Sequence, residues 1–198
     1  MNNYDAMLEA ARVRFTGYDM GRIAAKAGVE EVGDFLCTYF FDQIVMVEKS
    51  TGYVKLDDQP ADFCQTLAVY DWLCDRKPSA VAAESFCLVG SLPGVYVGGG
   101  GLSIEMHRLA ARIQEDPRRF LKACQAMGGR EEKLGDLGCR LQIFPDLPMC
   151  LKFYFADDEF PPTLTLLWDK NTLRFVRYET VYYLAGCLNK RLLALLCK

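Results

Sequence analysis

Two stretches of this 198-residue chain and one lone side chain carry chemistry by residue type and spacing. The run Asp157-Asp158-Glu159-Phe160-Pro161-Pro162 concentrates acid and proline as nowhere else. Adjacent carboxylates bind a cation through oxygen, or serve as general acid and base because each shifts the other's pKa. Turns favour Asp for a structural reason too, since its side chain bonds the backbone ahead. That structural reading takes precedence over the functional one. His107 is the single histidine. It is a candidate axial ligand or proton shuttle, set against the commoner role of a boundary residue on a helix. Trp168 joins Tyr39, Phe40, Phe41, Phe153, Tyr154 and Phe155 in an aromatic, strand-like set. Asp157, Asp158, Glu159, His107 and Trp168 are therefore the candidate ligand-binding residues. No catalytic residue can be named.

Other chemistry is thinly represented. The four glycines Gly98 to Gly101 precede a helical pattern, where free N–H groups hold phosphate. The run is neither G-x-G-x-x-G nor a P-loop, so a flexible connector is the better reading. Nine cysteines are present without any C-x-x-C. An odd count and wide spacing oppose a disulfide framework or a zinc or iron–sulfur site. Buried free thiols in a reducing cytosol follow, and such free use of thiols suits an anaerobe. No G-x-S-x-G or H-E-x-x-H occurs, so nucleophilic hydrolysis would have to use His107.

These residues need elements to hold them. Around the acidic run, Cys139–Phe144, Met149–Ala156 and Thr163–Trp168 alternate apolar and polar residues with a period of two, the half-buried strand signal. Phe144 to Pro148 turns the chain. Antiparallel pairing is expected to set Leu151 opposite Trp168, Phe153 opposite Leu166 and Phe155 opposite Leu164, with one face on the core. Asp157 to Pro162 would then reverse the chain, with Phe160 plugged inward beneath exposed Asp158 and Glu159. Cys139 and Cys150 fall on opposite faces and should not bond.

Earlier in the chain, a helix over Tyr4–Phe15 shows a stripe of Met7, Leu8, Ala11 and Phe15. Asp19 caps a second helix closed by Gly28. Phe35 to Leu56 reads as strands with turns at Asp42-Gln43 and Ser50-Thr51-Gly52. Pro60 opens a helix to Leu73. Ser85 to Val89 is a short strand. Leu102–Gln114 is a helix with Met106, Leu109, Ala110 and Ile113 inward. Asp116-Pro117 starts another, ended by Gly128-Gly129. Arg130–Leu134 is a charged loop, and Tyr178 to Cys197 is a long closing helix. The blocks lack βαβ alternation, which predicts one α+β domain over residues 1–198. An antiparallel sheet of meanders and hairpins would carry helices mainly on one face.

Composition narrows the function classes. Half the residues are hydrophobic, a quarter are charged, and the net charge is −3. There is no basic tail, so nucleic acid is not an expected partner. The first residues lack an apolar h-region and no apolar run reaches about 18 residues, so no membrane partner is expected and a cytoplasmic location is.

An ordered set of short landmarks is familiar. It comprises Asp19 with Ile23-Ala24, Leu92-Pro93-Gly94, Gly128-Gly129, Gly135-Asp136, and Phe144-Pro145 with Pro148. It continues with Asp158-Glu159-Phe160-Pro161, Leu166-Leu167-Trp168-Asp169, and Glu179 opening a helix. The set resembles the bacterial and archaeal family catalogued as domain of unknown function 3786, over most of the chain. The family has no established activity. Some relatives join this domain to a four-cysteine iron–sulfur module like that of corrinoid iron–sulfur proteins. The resemblance therefore implies anaerobic cofactor or one-carbon metabolism, with a corrinoid as cofactor and an iron–sulfur or corrinoid protein as partner. The chain departs from the family's Gly-Gly-aromatic pattern at Gly98–Gly101.

The expected function is a small-molecule or cofactor-binding accessory protein of anaerobic redox or methyl-transfer metabolism. The alternatives are an acid–base or metal-assisted enzyme using Asp157–Glu159, and an interaction subunit without ligand.

Overall fold

The structure is a computed structural model that describes residues 3–95 and 103–197. Gly98–Gly101, the expected connector, lies outside the described residues. The fold is α+β with two antiparallel sheets, so the strands expected to share one sheet divide between two.

Helices α1 (Asn3–Thr16) and α2 (Met20–Ala27) come first. Asp19 caps α2 by accepting the Arg22 N–H at 3.1 Å, and Gly28 closes it at φ 64°. Of the stripe expected on α1, Phe15 is buried, Leu8 and Ala11 are half-buried and Met7 is exposed. Strands β1 (Glu30–Val32), β2 (Phe35–Phe40), β3 (Gln43–Glu48), β4 (Val54–Leu56) and β5 (Gln59–Pro60) form a meander in chain order.

Two local corrections belong to this sheet. The β2–β3 turn is Phe41-Asp42, one residue earlier than Asp42-Gln43, because Gln43 pairs with Phe40. Phe41 sits at φ 48°, a conformation uncommon for a bulky residue, while its N–H donates to the Ile143 carbonyl at 2.9 Å and its ring is buried. Pro60 does not open a helix. It pairs with Lys55 on the edge strand β5, where its missing N–H is tolerated. Asp62 and Gln65 form a capping box that starts α3 (Phe63–Tyr70). From Asp71 to Asp75 the helix widens into a π-helical turn.

The second sheet runs in the order β6 (Phe86–Cys87), β10 (Thr163–Asp169), β9 (Leu147–Tyr154), β8 (Leu137–Phe144), β7 (Arg130–Glu131). The expected loop after Gly129 is thus in part a short edge strand, Arg130 pairing with Arg140. The β9–β10 register differs from the expected one by two residues: Leu164 meets Phe153, Leu166 meets Leu151, and Trp168 meets Met149. A slip of two keeps every side chain on its face, so the buried set is unchanged. Phe155 falls outside the ladder and is partly exposed, resting edge-on against Phe153 at 5.2 Å. Cys139 and Cys150 do lie on opposite faces, beside Leu151 and Arg140 respectively, yet both are buried. Strand β9 is buried on both faces from Leu147 to Leu151 rather than on one. On the second face Arg140 stands over the Phe86 ring at 5.5 Å and pairs with Glu84.

Helices α4 (Ser103–Glu115), α5 (Pro117–Gln125), the short α6 (Thr172–Phe175) and α7 (Tyr178–Leu196) complete the chain. Met106, Leu109, Ala110 and Ile113 of α4 are buried, as the periodicity predicts, and so are Val181, Leu184, Leu188 and Leu192 of α7. Burying each such side chain stabilises the fold by about 1.5–3 kcal/mol. The two sheets meet where Phe40 packs on Phe144, with ring centroids 5.1 Å apart, Phe41 edge-on to Phe40, and Trp72 stacked on Phe144 at 4.5 Å.

Candidate functional site

The acidic turn is a self-closed reversal. Asp157 Oδ1 accepts the N–H groups of Glu159 and Phe160 at 2.9 and 2.8 Å, and Asp157 N–H donates to the Phe160 carbonyl at 3.0 Å. Those backbone donors hold the Asp157 carboxyl below its usual range. Asp158 and Glu159 are exposed, as expected. Phe160 is not the inward plug: it is 64 % exposed. Leu164 and Phe153 already fill the interior, and the carboxylate of Asp157 closes the turn without help from below. Gln114 of α4 ties the turn down by accepting the Ala156 N–H at 3.0 Å. The two cavities described next are lined by other residues.

His107 and Trp168 do come together. Both line a groove of about 480 Å3 between α4, β10 and the 3-10 turn Val89–Ser91. Met106, Leu164, Leu166 and Leu88 supply apolar walls, with Thr163, Thr165 and Ser91 as polar points. Trp168 is buried at its floor, whereas His107 is exposed on α4 and Leu88 is 54 % exposed at the lip. Strand parity puts Leu164 and Leu166 on one face of β10 and Thr163 and Thr165 on the other, yet all four border the groove, which therefore runs along the strand's edge. Among the described residues, β6 pairs with β10 only at Trp168 and Asp169. Residues Thr163 to Leu167 thus present ladder groups on that side.

A second cavity, about 420 Å3, lies between α1, α3, the π-helical turn and the start of α7. Its polar centre is Asp71, which accepts a hydrogen bond from the Thr180 hydroxyl and lies 3.5 Å from Arg14. Asp75 pairs with Arg14 at 3.4 Å and with Arg177. Burial is the main force raising the Asp71 carboxyl pKa; the Thr180 hydrogen bond opposes it, while Asp75 adds to it. A desolvated carboxyl in a cleft beside fixed cations is the kind of group functional sites collect, and π-helical turns recur at such sites. The periodicity hid it, because Asp71 sits inside an apolar helix pattern. The available signal was Asp71 and Asp75, four residues apart and flanking the buried run Trp72-Leu73-Cys74.

All nine cysteines are free thiols. Among the described residues, no group of three or more His, Cys, Asp or Glu side chains is placed to hold a metal ion, and no helix is long and apolar enough to cross a membrane.

A family model described as Domain of unknown function (DUF3786) matches residues 19–191. No curated protein and no solved structure matches the chain. The matched span contains α2 to most of α7, and with them both cavities except the wall that α1 contributes.

Proposed function

The chain belongs to the DUF3786 family, and from its own geometry we propose that it binds a small, largely apolar molecule in the groove between α4 and β10. The observation that carries this reading is the convergence of His107 and Trp168, about sixty residues apart in sequence, on one apolar groove of about 480 Å3. That size falls within the range of about 300–1,000 Å3 common to small-molecule sites. Leu164, Leu166 and Trp168 would cover the ligand body. His107, Thr163, Thr165 and the edge of β10 would take its polar groups. This reading favours a ligand smaller than the corrinoid that the family resemblance implies. The acidic turn is closed on its own backbone, which leaves the acid–base reading at Asp157–Glu159 without support.

Titration with the neutral fluorescent probe N-phenyl-1-naphthylamine tests the reading. Saturable binding is expected, with emission transferred from tryptophan to the probe. Leu88→Asp places a charge at the exposed lip and should abolish binding while leaving the melting temperature level. Unchanged probe affinity in Leu88→Asp would overturn the proposal, as would the absence of saturable binding to the natural chain.

A further inference from the structure

We propose that the cavity beneath α1 is a second, separate site and that its ligand is a primary alkylamine, with the ammonium on Asp71 and Glu179 and a short aliphatic tail along Met7, Leu67 and Tyr183.

The lining divides by chemistry. Met7, Ala10, Ala11 and Leu67 are aliphatic and Tyr183 adds a ring; Arg14, Asp71, Arg177, Glu179 and Thr180 are polar. The two arginines are already paired with carboxylates. Arg177 pairs with Asp75, and Arg14 is 3.4 Å from Asp75 and 3.5 Å from Asp71. Against these two cations stand Asp75, Glu179 and, once it is ionised, Asp71, so ionising Asp71 leaves one negative charge that a ligand can match. An anionic ligand would meet that charge. An apolar ligand would strip water from Asp71 and give nothing back. An ammonium supplies the missing charge and three donors, and the aliphatic wall accepts the carbon chain behind it.

Asp71 is placed for this by the wide helical turn. Trp72 and Leu73 are turned into the core and Asp71 lies at the cavity wall, its Oδ2 held by the Thr180 hydroxyl. Its Oδ1 lies 3.5 Å from Arg14. Burial favours the neutral carboxyl in the absence of a ligand, and an arriving ammonium favours the carboxylate. Binding should therefore strengthen as pH rises through the raised Asp71 pKa. The charged and titratable groups around Asp71 are Arg14 on α1, Cys74 and Asp75 in the same turn, Arg177 just before α7, and Glu179 and Tyr183 on α7. An alkylamine, like Lys, stays protonated up to a pH of about 10, so a rise well below that pH reports the protein.

The test is amide NMR titration of the full chain with n-hexylamine, and with hexanoate as a control of equal length. Hexylamine should shift amides of α1, residues 67–75 and the first turn of α7, and hexanoate should not. Asp71→Asn should weaken hexylamine by about tenfold or more, the loss of one charged hydrogen bond. Because Asp71 is buried, a second variant guards the result. Ala10→Phe on the exposed side of α1 fills the cavity mouth, and should abolish binding with the fold intact. Hexanoate binding as tightly as hexylamine would overturn the proposal. So would undiminished hexylamine binding in both variants, or no saturable binding in the millimolar range. Shifts at Leu88 and Thr165 report the α4–β10 groove in the same spectra, so failure at one site is distinguishable from failure at the other.

Discussion

Arg76 and Asp146 form an ion pair at 2.5 Å that joins the π-helical turn to the β8–β9 turn, seventy residues later. The Arg76 guanidinium lies between the rings of Trp72 and Phe175, 5.2 Å from each centroid. It also reaches the Ala27 and Ala80 carbonyls at 3.4 and 3.5 Å. Asp146 accepts the Trp72 indole N–H at 3.1 Å as well. One carboxylate therefore satisfies two buried donors from one helical turn. Asp146→Ala should cost about 1–3 kcal/mol, because it leaves Arg76 without its counter-ion while the partly exposed site admits some water. Urea denaturation measures it, and a loss under about 0.5 kcal/mol would mean that the stacking on Trp72 and Phe175 suffices.

Stability should depend on Asp71 with a defined sign. Its folded pKa lies above the ordinary carboxyl value of 3.8. The folded state then holds the proton more tightly, so the contribution is fully present below pH 3.8 and is lost as pH rises through the folded pKa. Asp71→Asn should flatten that decline when melting temperatures are compared from pH 4 to 8. Parallel curves for the two proteins would count against a raised pKa.

The acidic turn predicts the opposite sign and a local effect. Asp157, held below its usual range by two backbone donors, contributes above its unfolded pKa and loses that contribution as pH falls through the folded value. Asp157→Ala should speed hydrogen exchange at the Glu159 and Phe160 amides. The paired change Asp158→Asn with Glu159→Gln should leave that exchange as it was, since neither side chain closes the turn.

Thiol reactivity should be graded by exposure. Cys197 is exposed, and Cys37, Cys64 and Cys87 are half-buried with thiol pKa values raised by burial. Burial pushes Cys74 and Cys150 up to about 12 and Cys187 further, while the neighbouring Cys139 thiol and then burial raise Cys124. A disulfide reagent at pH 8 should find one fast thiol in the native protein, since thiolate is the reactive form. In denaturant it should find nine. A fast native count of three or more would contradict this burial.

Leu188 is fully buried in the middle of α7. Leu188→Ala should cost about 2–5 kcal/mol in chemical denaturation, depending on how far α3 and α5 close the gap. A loss under about 0.5 kcal/mol would show that the surroundings collapse onto the site.

What could be read from the chain alone follows from which quantity a pattern fixes. Alternation fixes parity, so Leu151, Phe153, Leu164, Leu166 and Trp168 are buried as expected. It does not fix register, and the pairing sits two residues from the expected one. Caps with a single strong signal, Asp19 and Asp116, were legible. Asp62 was masked by the more conspicuous Pro60, and Phe41 by its own bulk, which argues against the positive φ it adopts. His107 and Trp168 were each visible as chemistry, but their meeting depends on α4 lying along β10, a tertiary fact. Asp71 gave no periodic signal because its neighbours define an apolar helix around it. Phe160 was expected inward from the parity of the flanking strands, and an apolar side chain is free to stay outside once the turn is closed.

The π-helical turn also carries a record of length. An α-helix advances by about 100° per residue, and a wide turn is how a helix absorbs one residue more than its ends require. Here the ends are pinned independently: Asp71 to Thr180 on α7, and Arg76 to Asp146 on the second sheet. A relative one residue shorter between those two positions could keep an unbroken α-helix, but it would swing one of the two anchors off its partner. Insertions and deletions should therefore be rare between Tyr70 and Lys77. Where one has occurred, substitutions at the positions of Thr180 or Asp146 should accompany it.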